Sequence, residues 1–157
     1  MTEKLLILLF AIDNDEVTRD QIREGLERSD VEHYEVFDNH VDLMEKFDDH
    51  VHIAIIDHHL DAGVTGFDVM EQILEINPSC YVIIISGNED PKLMRQYWKK
   101  KAFSYIFKND RDFEDQLVDD VNEAYRNINN MLDFFKDAIK RLDELKIPEH
   151  DGQRKLG

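Results

Sequence analysis

Short apolar runs alternate with segments of helical periodicity along the first two thirds of the chain. Each run is bounded by polar or turn-forming residues and is too short for a helix, which is typical of strands buried in a parallel sheet. The predicted strands are Leu5–Ile12, Tyr34–Phe37, Ile53–Asp57, Tyr81–Ser86 and Phe103–Phe107.

Helices are predicted between these strands. Val17, Ile22 and Leu26 recur at roughly helical spacing in the first of them, and Asn77-Pro78 ends the third. Five βα units of this kind imply an α/β fold, a parallel sheet with helices on both faces. The predicted helices are Asp15–Ser29, a short one over Val41–Phe47, Gly66–Ile76 and Pro91–Lys100.

The last third of the chain carries an unbroken heptad pattern, with apolar residues at alternating intervals of four and three. A single helix from about Asp112 to Lys146 would be roughly 50 Å long. Its second half would project beyond the domain with an uncovered apolar stripe. The heptad positions are Leu117, Val121, Ala124, Ile128, Met131, Phe135, Ala138, Leu142 and Leu145.

An uncovered apolar stripe needs a partner, so we expect a homodimer formed through this extended last helix. The alternative is that the helix folds back on its own domain as an αα-hairpin. The expected organisation is a domain over residues 1–127, a helical extension over 128–147 and a disordered tail over 148–157. Nothing after Asn127 has the strands, glycines or basic patch of an output domain.

The composition argues against several classes of partner and location for this protein. The 157 residues are 42% apolar and carry a formal net charge of −16, which argues against nucleic acid or an anionic membrane as partner. The N-terminal apolar run lacks a cleavage site, and no run reaches the roughly 18 residues of a membrane span, so the cytoplasm is expected. The single cysteine, Cys80, is expected to be a packed side chain outside any disulfide.

Four predicted strands end in side chains that carry chemistry. Asp57 ends the third strand, Asp13 follows the first, Ser86 ends the fourth and Lys108 follows the fifth. The carboxyl ends of parallel strands share one edge, where ligands gather. Phosphoryl transfer depends mainly on positioning and charge neutralisation, so two carboxylates, a hydroxyl and an amine at this edge predict a phosphoryl acceptor.

Each side chain has its own part in that chemistry. Asp57 would be the nucleophile, Lys108 would pair with a phosphoryl oxygen, and Ser86 would hydrogen-bond to another. Asp57 and Asp13, and more weakly Asp15, would hold Mg²⁺, which prefers oxygen ligands.

The chain resembles the receiver domain of two-component response regulators over about Lys4–Asn127. The matching fragments are Ala-Ile-Asp-Asn-Asp-Glu around Asp13, Ile-Ala-Ile-Ile-Asp ending at Asp57, Ser86-Gly87, and Tyr-Ile-Phe-Lys ending at Lys108. The resemblance implies a flavodoxin-like fold of strand order 2-1-3-4-5. It also implies phosphorylation by a histidine kinase or a histidine phosphotransfer protein, and signalling through a downstream protein target. No enzymatic activity is implied beyond Mg²⁺-dependent self-phosphorylation and autodephosphorylation.

The same resemblance implies a switch and a set of tuning positions. Phosphorylation would draw Ser86 toward the phosphoryl group, and Tyr105 would rotate inward and change the surface of helix four, strand five and helix five. Gly87 would leave room for the phosphoryl group. His59 and Asn88 occupy positions that tune the rate of phosphate loss.

Several residues depart from the family pattern. Asn14 stands where receivers have a second acid and is a weaker ligand, so Mg²⁺ affinity should fall. Asp61 and Asn109 replace two prolines, and Gly66 comes one residue later than the family's glycine, so its loop carries an extra residue. These departures leave open a pseudo-receiver, a dimeric interaction module that never takes phosphate.

The histidines suggest two further alternatives. Asp57-His58-His59 spells the motif of the DHH phosphoesterases, but the chain is too short for their two-domain body. His50 and His52 flank the start of the third strand, and His58 and His59 leave its far end. A strand separates the two pairs by more than a ligand cluster allows, so we expect surface histidines.

Overall fold

Strands and helices alternate through residues 6–145, which are the residues that the computed structural model describes. Their bounds are β1 Leu8–Ile12, α1 Glu16–Arg28, β2 His33–Phe37, α2 His40–Lys46, β3 Val51–Asp57, α3 Gly66–Ile76, β4 Tyr81–Ser86, α4 Pro91–Lys99, β5 Ser104–Phe107 and α5 Phe113–Leu145.

The five strands form one parallel sheet in the order β2-β1-β3-β4-β5. This confirms the predicted flavodoxin-like α/β fold. Residues 53–56 and 83–85, in the central strands β3 and β4, are fully buried, as their continuous apolar runs predict. The edge strand β2 is only partly buried, which explains its weaker apolar pattern.

Helices cover both faces of the sheet. On one face, Leu43 of α2, Ile73 of α3 and Tyr97 of α4 join a single core cluster with the side chains of the strands. α1 packs against the start of α5, where Gly25 lies opposite Leu117. The sheet is therefore covered on both sides, and its carboxyl edge stays available for a site.

The predicted start of β1 is wrong by three residues: the strand begins at Leu8, not at Leu5. Leu6 is exposed and belongs to no strand, and Leu5 lies outside the described residues. The pairing of β1 with β3 shifts register between Leu8 and Leu9. The Leu8 N–H then donates to His52 Nδ1 at 3.2 Å, so the regular ladder stops there.

The inward face of α1 also differs from the expectation. Val17 is exposed, and Thr18 takes the buried position together with Ile22 and Leu26. These three residues follow one another at intervals of four, which places them on one face of a helix. Val17 was assigned to the inward face because it is apolar, and this prediction is wrong.

The last helix runs unbroken over Phe113–Leu145, in agreement with the predicted start near Asp112. The chain divides into two compact units, residues 1–125 and 126–157. Within residues 6–145, neither this helix nor any other is apolar enough over a sufficient length to cross a membrane. The end of the predicted extension, at residues 146–147, and the predicted tail, 148–157, lie outside the described residues.

The heptad positions have different surroundings in the two units. Those of the first unit, Leu117, Val121 and Ala124, are buried in the core. In the second unit Ile128 is buried, but six of the large apolar side chains after it are each more than half exposed. These are Met131, Phe134, Phe135, Ile139, Leu142 and Leu145.

Gly66 makes a close backbone approach that predicts a stability effect. A methyl group there would lie 2.4 Å from the carbonyl oxygen of Asp57 and 2.9 Å from Cα of His58. The Gly66 N–H donates to the His58 carbonyl at 2.8 Å, so α3 cannot move away without losing this bond. We expect Gly66→Ala to lower the free energy of unfolding by about 2–4 kcal/mol in urea denaturation.

Gly25→Ala is the matched control for this prediction. Its methyl group would meet only side-chain atoms, at 3.4 Å or more, and alanine is the better helix former. We expect a change smaller than about 1 kcal/mol. Equal losses in the two variants would contradict the close approach at Gly66.

Candidate functional site

The carboxyl ends of β1, β3, β4 and β5 bring the four predicted side chains together. Lys108 Nζ lies 2.6 Å from Asp13 Oδ2 and 2.8 Å from Asp57 Oδ1. Asp13, Asp57 and Ser86 are almost completely buried. The backbone N–H of Lys108 donates to the Ser86 carbonyl at 2.9 Å, which fixes the lysine beside the hydroxyl.

Asp57 carries a buried oxygen that accepts no hydrogen bond. Its Oδ1 contacts Lys108 and accepts from the His59 N–H at 3.3 Å, whereas Oδ2 has no partner among the described residues. Burial raises the pKa of the Asp57 carboxyl, the hydrogen bond from Lys108 opposes this, and the charge of Asp13 adds to the increase. A buried carboxylate oxygen with no donor is available as a nucleophile or a metal ligand.

Asp13 shares the lysine with Asp57. Its Oδ1 accepts from the Asp15 N–H at 2.7 Å, and its Oδ2 contacts only the Lys108 ammonium among residues 6–145. Burial by itself lowers the pKa of Lys108. The hydrogen bonds to Asp13 and Asp57 raise it by more, so the lysine pKa is raised overall. Lys108 is therefore a charged counter-ion held between two acids.

Asp15, predicted as a weak metal ligand, is the N-cap of α1. Its Oδ2 accepts from the Thr18 N–H at 3.0 Å and from Thr18 Oγ1 at 2.8 Å, and these bonds lower its pKa. One carboxylate oxygen is thus engaged in capping the helix. Within residues 6–145, a different set of acidic and histidine side chains is close enough to share an ion, but it is exposed and precedes β3, at the opposite edge of the sheet. That set is Asp48, Asp49 and His50.

Asn14, where the second acid was expected, is tied to the loop between β3 and α3. Its Nδ2 donates to Asp61 Oδ1 at 3.0 Å, and both side chains are exposed. The loop is a small hairpin in which His59 and Thr65 form an antiparallel bridge. Two positions that depart from the receiver pattern are therefore in direct contact.

The predicted switch residues meet at the backbone of Asn88. The Asn88 N–H donates to Ser86 Oγ at 2.9 Å, and the Tyr105 hydroxyl donates to the Asn88 carbonyl at 2.6 Å. Tyr105 is buried, in the inward position, and burial raises its pKa. A methyl group at Gly87 would lie 3.6 Å from Asn109 Nδ2, so the protein itself leaves space there.

A buried polar pair beside the acceptor was not foreseen. His58, expected at the surface, is 9% exposed, and its Nδ1 lies 2.5 Å from the Tyr97 hydroxyl. The Tyr97 ring is fully buried and packs edge-on against Tyr105, with 5.7 Å between ring centroids. Burial lowers the pKa of His58 and so favours the neutral form of the ring. The spacing of Leu93 and Tyr97 in α4 was the available signal for an inward Tyr97.

The oxygen atoms at this edge suit Mg²⁺. Among the described residues, the buried Asp57 Oδ2 has no partner and the buried Asp13 Oδ2 contacts only the Lys108 ammonium, and Asn14 adds an amide group at the rim. Mg²⁺ is commonly held by one or two carboxylates and completes its coordination with water and substrate oxygens. The side chains present therefore fit the ion that the fold family uses.

Comparison with protein families gives one match over most of the chain. The model of the response regulator receiver domain matches residues 9–122. No curated protein matches the chain.

Solved structures of receivers have the same fold. The response regulator DrrB of Thermotoga maritima is 17% identical, with a TM-score of 0.69 over 78% of this chain and 54% of that one. A receiver domain protein from Clostridium thermocellum is 20% identical, with a TM-score of 0.68 over 80% and 99%. A CheY-like receiver protein from Methanospirillum hungatei is 18% identical, with a TM-score of 0.64 over 78% and 99%. At these identities the likeness shows the fold alone.

The acid pair predicts a pH-dependent stability effect. Because the folded state raises the pKa of Asp57, its ionised form destabilises the fold at neutral pH, and this penalty disappears as the pH falls through the raised pKa. We expect Asp57→Asn to stabilise the metal-free protein at pH 7 by about 1 kcal/mol, or roughly 3–5 °C in Tm. The gain should shrink toward pH 4.

Thermal unfolding followed by circular dichroism at several pH values measures this effect. Asp30→Asn, which neutralises an exposed carboxylate, is the control and should change Tm little at pH 7. A lower Tm for Asp57→Asn at pH 7 would show that its ion pair with Lys108 outweighs burial and the charge of Asp13.

Proposed function

The chain belongs to the response regulator receiver family, and from this premise we propose that it is a phospho-accepting receiver with Asp57 as the acceptor. Receivers are signalling modules rather than enzymes, and they bind Mg²⁺ at an acidic pocket. They interact with histidine kinases or phosphotransfer proteins and with downstream targets. We propose the same properties for this chain on the basis of the contacts in its own site.

The observation that carries the proposal is the unpartnered Asp57 Oδ2 beside Lys108. In the transfer, this oxygen attacks the phosphorus of a phosphohistidine. A P–O bond forms as the P–N bond breaks, and the imidazole leaves with the electron pair of that bond. Lys108 offsets the arriving negative charge, and the Ser86 hydroxyl donates a hydrogen bond to a phosphoryl oxygen.

Asp13 and Asp57 would hold Mg²⁺, with Asn14 as a further, weaker ligand. When bound, the ion neutralises charge on the transferring phosphoryl group. Asp13 is kept in place for this by the Asp15 N–H on Oδ1 and by Arg19 Nη1, which donates to its carbonyl at 2.9 Å. Self-phosphorylation from small donors and autodephosphorylation would be the only reactions.

The signal would pass from Ser86 to the surface of α4, β5 and α5 through Asn88 and Tyr105. Asn88 is bonded to both switch side chains, so a displacement of Ser86 toward a phosphoryl group alters the support of Tyr105. Trp98 of α4 is half exposed and can take part in docking a protein partner. His59, two residues after Asp57, and Asn88, two residues after Ser86, would tune the rate of phosphate loss.

A second copy of the chain is the partner we propose for the end of α5. The exposed residues Met131, Phe135, Leu142 and Leu145 continue the heptad repeat, which pairs readily with an identical helix. Residues 129–157 contain six basic and six acidic side chains, so the whole net charge of −16 lies in residues 1–128. Two copies therefore meet with the least repulsion through this neutral segment.

The alternative function is a pseudo-receiver that serves as a dimeric interaction module. The replacement of the family's second acid by Asn14 favours it, because a neutral amide attracts Mg²⁺ less strongly than a carboxylate. In that case Asp57, Asp13, Ser86 and Lys108 would keep only a structural role.

Phosphorylation distinguishes the two functions. We expect the purified protein, incubated with Mg²⁺ and acetyl phosphate, to gain one phosphoryl group by intact mass. Asp57→Ala should gain none, because the nucleophile is absent. Chelation of Mg²⁺ should abolish the gain in the unaltered protein. A gain of equal size in Asp57→Ala would place the acceptor elsewhere, and no gain together with no Mg²⁺ binding would favour the pseudo-receiver.

Light scattering tests the proposed homodimer. We expect a solution mass twice the 18.6 kDa of the chain, and a monomer after Phe135→Glu is combined with Leu142→Glu, because buried charge opposes helix pairing. The control combines Asn127→Glu with Asn130→Glu, which adds the same charge at exposed positions outside the heptad stripe. Circular dichroism checks that the helix persists. A monomeric unaltered protein would overturn the proposed homodimer.

A further inference from the structure

Asn14 and Asp61 form a contact that the proposed transfer chemistry does not use. They are 47 residues apart, yet Asn14 Nδ2 lies 3.0 Å from Asp61 Oδ1 at the rim of the site. Behind them lie two buried carboxylate oxygens: Asp57 Oδ2 has no partner among the described residues, and Asp13 Oδ2 contacts only the Lys108 ammonium there. An ion held by those oxygens would take any further side-chain ligand from this rim, with water completing its coordination.

An amide has to be oriented by its surroundings before it can bind a cation, whereas a carboxylate does not. A carboxylate presents an oxygen whichever way its plane turns, whereas an amide binds a cation through its single oxygen and repels it through the NH₂ group. Asn14 is thus a useful ligand only if something fixes which end faces the ion. An acid at this position would need no such fixing.

Asp61 supplies the fixing interaction. A carboxylate accepts hydrogen bonds and donates none, so it accepts from the NH₂ end of the Asn14 amide and repels the oxygen end. The Asn14 oxygen is thereby the end left free. Partners of this kind, which orient a ligand without touching the ion, commonly change metal affinity by about 10–100-fold when removed.

The loop holds Asp61 where this contact requires it. The Val64 N–H donates to the Asp61 carbonyl at 3.3 Å, and the two residues between them, Ala62 and Gly63, have φ values of 63° and 73°. Positive φ at both central positions is typical of the type I′ turn that closes tight hairpins. Asp61 is therefore the first residue of a closed turn and not part of a loose loop.

We propose that Asp61 is a positioning residue for Mg²⁺ binding, acting through Asn14. The inference rests on the proposed receiver function, because it assigns the ion to Asp13 and Asp57. It explains how a site without the second acid keeps a useful ligand at that position. Asp15 cannot fill this role in the same way, because a carboxylate oxygen of Asp15 is engaged with Thr18.

Isothermal titration calorimetry with Mg²⁺ alone, on the full chain, tests the proposal. We expect Asp61→Asn to weaken Mg²⁺ binding about 10-fold. In the background of Asn14→Ala, which removes the amide, Asp61→Asn should change the affinity by less than about 2-fold. This loss of effect is specific to a residue that acts through Asn14, whereas a general loss of charge would weaken binding equally in both backgrounds.

Asp38→Asn is the matched control, because it neutralises another exposed carboxylate at the carboxyl edge of the sheet. It should leave the Mg²⁺ affinity within about 2-fold of the unaltered value. Circular dichroism checks the folding of every variant. If Asp61→Asn failed to fold, Asp61→Ala and Asn14→Ala with Asp61→Ala would provide the same cycle.

The outcomes separate this proposal from the proposed function. If the unaltered protein binds Mg²⁺ and takes the phosphoryl group while Asp61→Asn binds Mg²⁺ equally well, the positioning role is overturned and the receiver function stands. An equal effect of Asp61→Asn in both backgrounds also overturns it. If the unaltered protein neither binds Mg²⁺ nor is phosphorylated, both proposals fail.

Discussion

The ion pair of Lys108 with Asp13 and Asp57 is the interaction on which the site depends. Two buried carboxylates at neighbouring strand ends repel each other, and one ammonium between them makes their burial tolerable. Lys108 leaves β5, which is separated from β3 by β4, so its side chain has to cross a strand. Neighbouring strands lie about 4.8 Å apart, so β5 and β3 are roughly 10 Å apart, and a long lysine can reach across only if the intervening side chain is small. Ser86 at the end of β4 is small enough. The ion pair therefore depends jointly on the strand order, on the small side chain of Ser86 and on the length of Lys108.

The parts of the fold and the site that could be predicted are those that are local in the sequence. Strand ends follow from short apolar runs, and parallel strands bring their ends to one edge, so Asp13, Asp57, Ser86 and Lys108 were predicted to meet. The bounds of α3 and β4 were also predicted, because Asn77-Pro78 and the uninterrupted isoleucines mark them clearly. Each of these features is local in the sequence.

The features that were missed depend on contacts between distant residues. The start of β1 is set by a register shift against β3, which no apolar pattern records. His58 looked like a surface histidine because its partner, Tyr97, lies 39 residues away. Asn14 and Asp61 were identified separately as departures, but only the folded hairpin brings them together. Side chains at the ends of parallel strands could be brought together from the sequence, whereas contacts that a loop or a helix makes with such a strand end required the structure.

The buried aromatic side chains connect the acceptor to the surface of α4. His58 follows Asp57 directly and meets Tyr97, Tyr97 packs against Tyr105, and the Tyr105 hydroxyl bonds to the backbone of Asn88. A densely packed core rearranges between discrete arrangements rather than deforming continuously. Ser86 is bonded to the same backbone segment, so its displacement and a rearrangement of these rings are physically linked. A local change of charge at Asp57 can thus reach α4 through side chains that are already in contact.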